Sequence, residues 1–292
     1  MEKTKQLILL VGPAGSGKST LARQLNTMEA FVRINQDEQG RGHLAFFDET
    51  VLAGQNVVVD RMNFTKGQRS RYIDIAKSQG YTTKIIVLHQ PYEVCLERCI
   101  KRQGHETIQD EASARGALNM FFSKYERVED GEADVVERRW PDGPKPLAVW
   151  SDLDGTLCEV SHRRHFVRRP QGEKKDWNGF FKAMSEDTVN VPVMETLKRF
   201  SHTHAIVYCS GRPDNYKKET KIWLKENGAP EGSLFMRLRN DQRQDNIVKE
   251  VLLDFEVLTR YRLLFCMDDR DQAIRMLRNR GLSVFQVADG DF

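Results

Sequence analysis

What the sequence lacks narrows the field first. No apolar run approaches the roughly 20 residues that a membrane-spanning helix needs, so no membrane partner is expected. The apolar stretch nearest the start, Leu7 to Val11, is too short for a signal peptide and runs straight into a glycine-rich loop. Cysteine is sparse and unpaired in pattern: there are five, Cys95, Cys99, Cys158, Cys209 and Cys266. Cys95 and Cys99 are four apart on a predicted helix, and no second Cys/His pair completes a zinc site. All five read as reduced thiols of a cytoplasmic protein. An excess of either charge is also missing. With 45 Lys and Arg against 42 Asp and Glu, the net charge of +3 is too small to argue for a nucleic-acid partner. There is no internal repeat and no low-complexity tract. Of the nine prolines, three fall within Glu137 to Pro146 (ERRWPDGPKP), beside a D-G pair. That is linker or turn chemistry, and it divides 292 residues into two expected domains, 1–142 and 146–292.

In the first domain, Leu7 to Val11 is the continuous apolar run of a strand buried on both faces. Gly12, Gly15, Ser16, Gly17, Lys18 and Ser19 then fall in the spacing G-x-x-x-x-G-K-[ST], followed by Thr20 at the opening of an amphipathic helix. Glycines let main-chain N–H groups turn inward around phosphate oxygens. The lysine adds charge at the β and γ phosphates, and Ser19 offers a hydroxyl to Mg²⁺. This predicts an ATP site. A second strand, Phe31 to Ile34, leads to Asp37, a candidate base for an attacking hydroxyl, with Arg41 nearby; an exposed polar turn is the plainer reading. A third strand, Val57 to Val59, ends in Asp60, with Asn63 close behind. Asp60 either serves a Mg²⁺ or caps the helix from Thr65. After a fourth strand, Ile85 to Leu88, a helix over Pro91 to Arg102 sets Arg98 and Arg102 four apart on one face, with Lys101, Gly104 and His105 beside them. Two such guanidiniums can fork over a transferring phosphoryl group or merely form a solvated face. A helical stretch from Ala112 to Tyr125 is expected to pack on this domain.

The second domain is organised around Val149 to Leu157, VWSDLDGTL. Its strand ends by presenting Asp152 and Asp154, followed by Gly155 and Thr156. One carboxylate can attack phosphorus and the other can handle a proton, with Mg²⁺ offsetting the charge. Downstream, a strand over Ala205 to Cys209 ends in Ser210, Gly211 and Arg212, a hydroxyl, main-chain donors and a guanidinium for phosphate oxygens. Asp245 precedes Lys249 by one helical turn. A last strand, Leu263 to Met267, ends in the adjacent carboxylates Asp268 and Asp269. Such a pair is unfavourable without a cation, and with Asp152 and the main-chain carbonyl of Asp154 it makes an oxygen-rich Mg²⁺ site. Asp268 is expected as the direct ligand and Asp269 as a shared or outer one. Between these motifs lies an insertion, Glu159 to Asp187, carrying His162, Arg163, Arg164, His165, Arg168 and Arg169 with Phe166 and Trp177. It is either a nucleic-acid track or a cap packed on the core. Both domains are expected to be α/β, each a parallel sheet flanked by helices.

At the DxDGT segment and its downstream partners the chain resembles the haloacid-dehalogenase phosphatase superfamily. Along almost its whole length it resembles the bacteriophage polynucleotide kinase/3′-phosphatase family. The resemblance implies Lys18 and Ser19 at ATP, Asp37 as base on a 5′-hydroxyl, Arg98 and Arg102 as the lid, and Asp60 and Asn63 as its D-x-x-N element. It implies Asp152 as nucleophile, Asp154 as general acid and then base braced by Thr156, and Lys249 offsetting charge. Arg163 takes the place of a phosphate-site arginine, and Asp245 supports the site. The C-terminal QVADGDF matches the family's end. One departure concerns the arginine three residues after the base, which here is Gly40, leaving Arg41 as the substitute. The resemblance implies a P-loop kinase fold followed by a HAD-like one, in an enzyme that phosphorylates 5′-hydroxyl ends of RNA or DNA and removes 3′-phosphates for a ligase, with 2′,3′-cyclic ends left open. A homo-oligomer stays open, and a phage-encoded chain would work in the host cytoplasm. The alternatives are a nucleoside or sugar kinase fused to a metabolite phosphatase, and a non-catalytic nucleotide-regulated module.

Overall fold

In a computed structural model, which describes residues 5–28, 30–102, 108–168, 170 and 172–290, the chain forms two compact units, Met1–Asp142 and Gly143–Phe292. Gly104, His105 and Arg169, together with the last two residues of QVADGDF, lie outside the described residues. Among the described residues no helix is long and apolar enough to cross a membrane.

The first unit runs β1 (Gln6–Val11), α1 (Lys18–Met28), β2 (Val32–Ile34), α2 (Gln36–Gln39), α3 (His43–Leu52), β3 (Val57–Val59), α4 (Lys66–Ser78), β4 (Thr82–Leu88), α5 (Tyr92–Lys101), α6 (Glu111–Lys124) and β5 (Val135–Arg139). The strands form one parallel sheet in the order β2-β3-β1-β4-β5. Leu7, Leu9, Leu10 and Val11 of β1 and all three valines of β3 are fully buried, as central strands covered by helices on both faces require. Strand β5 corrects the sequence reading. Glu137, Arg138 and Arg139, placed in the linker, instead pair with β4 at the sheet edge, where charged residues are tolerated.

The second unit runs β6 (Leu147–Ser151), β7 (Cys158–Glu159), α7 (Trp177–Lys182), β8 (Thr188–Val189), α8 (Val191–Ser201), β9 (Ala205–Pro213), α9 (Lys217–Glu226), β10 (Ser233–Arg237), α10 (Asp245–Leu252), β11 (Arg262–Asp268), α11 (Asp271–Asn279) and β12 (Val284–Gln286). Its main sheet is parallel, in the order β10-β9-β6-β11-β12. The centre, β6, is flanked by β9 and β11, so the carboxyl ends of these three strands converge on one edge. That edge is where an open parallel sheet of this kind carries its site. Strand β9 does not stop at Cys209 as expected. It continues through Ser210, Gly211 and Arg212, with a register shift against β10 between Met236 and Arg237. The insertion is not a bare loop: β7 and β8 pair antiparallel at its ends, and 3-10 turns at Ser161–Phe166 and Ala183–Glu186 bracket α7. Val160, Val167, Phe180 and Phe181 bury their side chains in the same core as β6 and β9.

Candidate active sites

In the first unit the loop between β1 and α1 is set by main-chain geometry. Gly15 has φ +77°, and a Cβ there would lie 2.5 Å from the carbonyl oxygen of Cys95, so only glycine fits. Lys18 opens α1 and is buried, its Nζ donating to the carbonyl of Pro13 at 2.7 Å. Burial lowers its pKa, against the attraction of Asp60. The buried Ser16 hydroxyl has no partner. A buried cation and an unanswered hydroxyl in a loop of this shape fit a phosphate chain. Thr20 is exposed on α1.

Asp60, buried at the end of β3, is the hub beside this loop. It accepts from Ser19 Oγ at 3.2 Å, Arg33 Nε at 2.9 Å and Asn35 Nδ2 at 3.0 Å. It caps nothing: Thr65 is the N-cap of α4, in a capping box with Gln68. Asn63, expected at substrate, adopts φ +47° and donates its side-chain amide to the carbonyl of Leu10 at 2.8 Å, which fastens the turn to β1. Asp37 is exposed as the second residue of α2, its N–H capped by the Asn35 side chain at 2.8 Å. Arg41 is exposed in the 3-10 turn Gly40–Gly42. Sequence reasoning passed over Arg61. It donates to Gln36 Oε1 at 2.5 Å and to the Tyr72 hydroxyl at 2.9 Å, beside the turn that carries Asp37. Its only signal was its place directly after Asp60. Arg98 reaches the carbonyl of Gly15 at 3.4 Å. Arg102 does not share its helix face as expected; it lies past the end of α5 in extended backbone, close enough to Lys18 to oppose its charge.

In the second unit Asp152 follows β6 and is 3% exposed. Lys249, on α10, is 1% exposed and meets three carboxylates: Asp268 at 2.7 Å, Asp152 at 3.0 Å and Asp245 at 3.1 Å. Burial alone would lower the lysine's pKa; the carboxylates overcome it and raise it. Burial raises the pKa of Asp152 well above the ordinary value, with Lys249 pulling the other way and Asp268 and Asp269 adding to the rise. Asp269 is pushed up to about 6, by burial and then by the charge of Asp268.

One oxygen from each of Asp152, Asp268 and Asp269 lies within 4.8 Å of the others. Asp268 is already engaged, by Lys249 on Oδ2 and by the N–H of Arg270 on Oδ1 at 3.2 Å. Asp269 Oδ1 accepts from Thr156 at 3.2 Å, while the buried Oδ2 has no partner. The three acids and the orphaned oxygen fit a hard divalent cation such as Mg²⁺. Of these acids, Asp269, expected as the shared or outer ligand, is the one that offers an open oxygen. Thr156 braces Asp269, not Asp154 as expected.

Asp154 faces two arginines. Arg212, fully buried on β9, donates from Nε at 2.9 Å, and Arg163, fully buried in the insertion, closes the other side. Burial raises the pKa of Asp154, but the two guanidiniums outweigh it and hold the carboxylate well below the usual range. Both arginines also bind Asp187, Arg163 at 2.6 Å and Arg212 at 2.9 Å. Asp187 was taken only as the end of the insertion, and no local pattern marks it as their counter-ion. Ser210 is fully buried and accepts from the N–H of Arg212 at 3.2 Å. Gly211 is required by Asp245, whose Oδ1 would sit 2.1 Å from a Cβ there. Asp152, Asp154, Gly211 and Asp245 open on one cleft of about 610 Å³, together with Arg237 and Arg270, two cations sequence reasoning did not single out.

The fold and these strand ends define the class: a P-loop domain, and a haloacid-dehalogenase-type phosphatase domain. Residues 146–292 match the family model described as the polynucleotide kinase PNKP phosphatase domain, and the chain belongs to that family. Residues 39–123 match a model described as an AAA domain. A provisionally named bifunctional polynucleotide kinase/RNA ligase of Autographa californica nuclear polyhedrosis virus is 24% identical over 98% of this chain and 43% of its own length. The bifunctional polynucleotide phosphatase/kinase of Schizosaccharomyces pombe is 28% identical over 46% of this chain and 33% of its own. The chain thus spans less than half the length of these relatives. A chain of the solved Pnkp1/Rnl/Hen1 RNA repair complex is 26% identical, covering 100% of this chain and 98% of that one, with a TM-score of 0.44.

Proposed function

We propose that the chain is a bifunctional enzyme that heals nucleic-acid ends. Its first domain, 1–142, transfers the γ-phosphoryl group of ATP to a 5′-hydroxyl of RNA or DNA, and its second, 146–292, removes a 3′-phosphate. The observation that carries the reading is a buried lysine at each of two phosphate sites, in a chain that belongs to a polynucleotide kinase phosphatase-domain family.

In the phosphatase, Asp152 attacks phosphorus. The bond from phosphorus to the 3′-oxygen breaks as an aspartyl-phosphate bond forms, and Asp154 delivers a proton to the departing oxygen. Water then attacks phosphorus and gives its proton to Asp154, the bond from phosphorus to the Asp152 oxygen breaks, and inorganic phosphate leaves with Asp152 regenerated as a carboxylate. An entering phosphoryl group offers Arg163 and Arg212 a second partner, which loosens their hold on Asp154 and lets it take up the proton it must deliver. Lys249 opposes the burial and the neighbouring acids that raise the pKa of Asp152, and so favours its ionised, nucleophilic form. Mg²⁺, held by Asp152, Asp269, Asp268 and the carbonyl of Asp154, would offset the negative charge of nucleophile and phosphate.

In the kinase, Lys18 and the loop N–H groups hold the phosphates, Ser19 and Asp60 suit a Mg²⁺ with its waters, and Asp37 is the base. Arg98 and Arg102 steady the moving phosphoryl group. The viral relative's name joins a polynucleotide kinase to an RNA ligase, which supports a ligase as the consumer of the healed ends.

The test uses an oligonucleotide with 5′-hydroxyl and 3′-phosphate ends, ATP and Mg²⁺. Lys18→Ala is expected to remove only end-labelling and Asp152→Asn only phosphate release, each by about 1,000-fold or more. Loss of both activities in either folded variant refutes two independent sites. Turnover of nucleosides or sugar phosphates but not of the oligonucleotide replaces this reading with a metabolite enzyme.

A further inference from the structure

Of the large apolar side chains left exposed among the described residues, Trp177 is the one that lines the phosphatase cleft. It is 40% exposed. Its indole is nonetheless fixed from within: Phe181 lies nearly parallel at 6.0 Å between ring centroids, and Phe180 meets it edge-on at 5.9 Å. Tyr216 packs on Phe181 at 5.5 Å and donates its hydroxyl to Asn178 at 3.1 Å, so α7 is tied to the segment leading into α9. Lys175 Nζ stands 5.7 Å from the centroid of the Trp177 ring. A rigid, half-open π surface with a cation beside it, in the cleft that holds Asp152 and Asp154, is unneeded for a bare phosphomonoester. It matches a flat heteroaromatic ring joined to an anionic backbone, because every base offers a π-face and every linkage a charge.

We propose that Trp177 is the platform on which the terminal base of a 3′-phosphate end stacks, with Lys175 meeting the adjoining phosphodiester, so that the insertion selects nucleotide ends over other phosphomonoesters. The inference rests on the reading of this site as a polynucleotide 3′-phosphatase. Stacking is tolerant of sequence, so the platform reads the presence of a base and not its identity.

The test compares two 3′-phosphorylated oligonucleotides that differ only in whether the terminal nucleotide carries a base or is abasic. In the native protein the abasic end is expected to show a KM about 5- to 150-fold higher, the range for one stacked base. Trp177→Ala is expected to bring that ratio close to one, and Trp177→Phe to keep most of it. A ratio near one in the native protein, or a ratio that survives Trp177→Ala, overturns the proposal; the native measurement decides even if the alanine variant folds poorly. If the native protein releases phosphate from neither oligonucleotide yet hydrolyses a small phosphomonoester, the polynucleotide reading itself fails, and the proposal falls with it.

Discussion

Lys18 and Lys249 are both buried lysines at phosphate sites, and they are held in opposite ways. Lys18 has a main-chain carbonyl for its hydrogen bond, and burial lowers its pKa. Lys249 sits among Asp152, Asp245 and Asp268, and its pKa is raised. The first is a cation whose counter-charge arrives with the ligand. The second is already neutralised by the protein, and its task is to let several acids share a small volume. One site is therefore poised for binding, whereas the other is part of what holds its unit together.

Substitution at these positions is the strongest way to break the contrast. Lys249→Met leaves three carboxylates without the cation they share. It is expected to abolish phosphate release and to destabilise the protein by about 3–5 kcal/mol, read by denaturant unfolding. Lys18→Met abolishes end-labelling but removes a desolvated charge, so its melting temperature should equal or exceed that of the native protein. A parallel loss of stability in both variants would erase the distinction. Next in size, Asp187→Ala leaves Asp154 as the carboxylate that Arg163 and Arg212 share. Phosphate release should fall by about 100-fold while end-labelling persists, because the arginines are then free to neutralise Asp154 more completely.

A smaller effect concerns pH. The folded protein keeps a proton on Asp269 up to about pH 6, where the unfolded chain has already lost it near the ordinary carboxylate value. Without divalent metal, stability should fall as pH rises from about 4 to about 6 and level off above. Asp269→Asn should flatten that slope in thermal unfolding with chelator present. The smallest effect is at the exposed Arg41, where alanine should raise the KM for a 5′-hydroxyl oligonucleotide about two- to fivefold.

Both glycine-rich and acidic motifs were legible because each is local: a strand, a turn and a functional residue within about ten positions. The strand ends carrying Asp60, Asp152 and Asp268 were found on that basis. What escaped were partnerships across distance. Asp187 and Arg163 are 24 residues apart, and Asp187 and Arg212 25 apart, with no period linking them. Arg237 and Arg270 look like ordinary surface cations until the sheet brings them to the cleft. Strand β5 was hidden because an edge strand can be half-buried and charged, and because proline and D-G follow it. Asn63 shows a second role that the sequence did not signal: its left-handed backbone and its bond to Leu10 fasten the turn.

Gly155 and Gly211 carry one more lesson. A Cβ at Gly155 would lie 2.2 Å from Asp269 Oδ2, just as one at Gly211 would crowd Asp245. Each glycine is the vacancy into which a particular acid fits. Among homologous sequences, then, glycine and acid should be inherited as couples: a chain that keeps the aspartate but has alanine opposite it retains the letter of the motif without the room to use it.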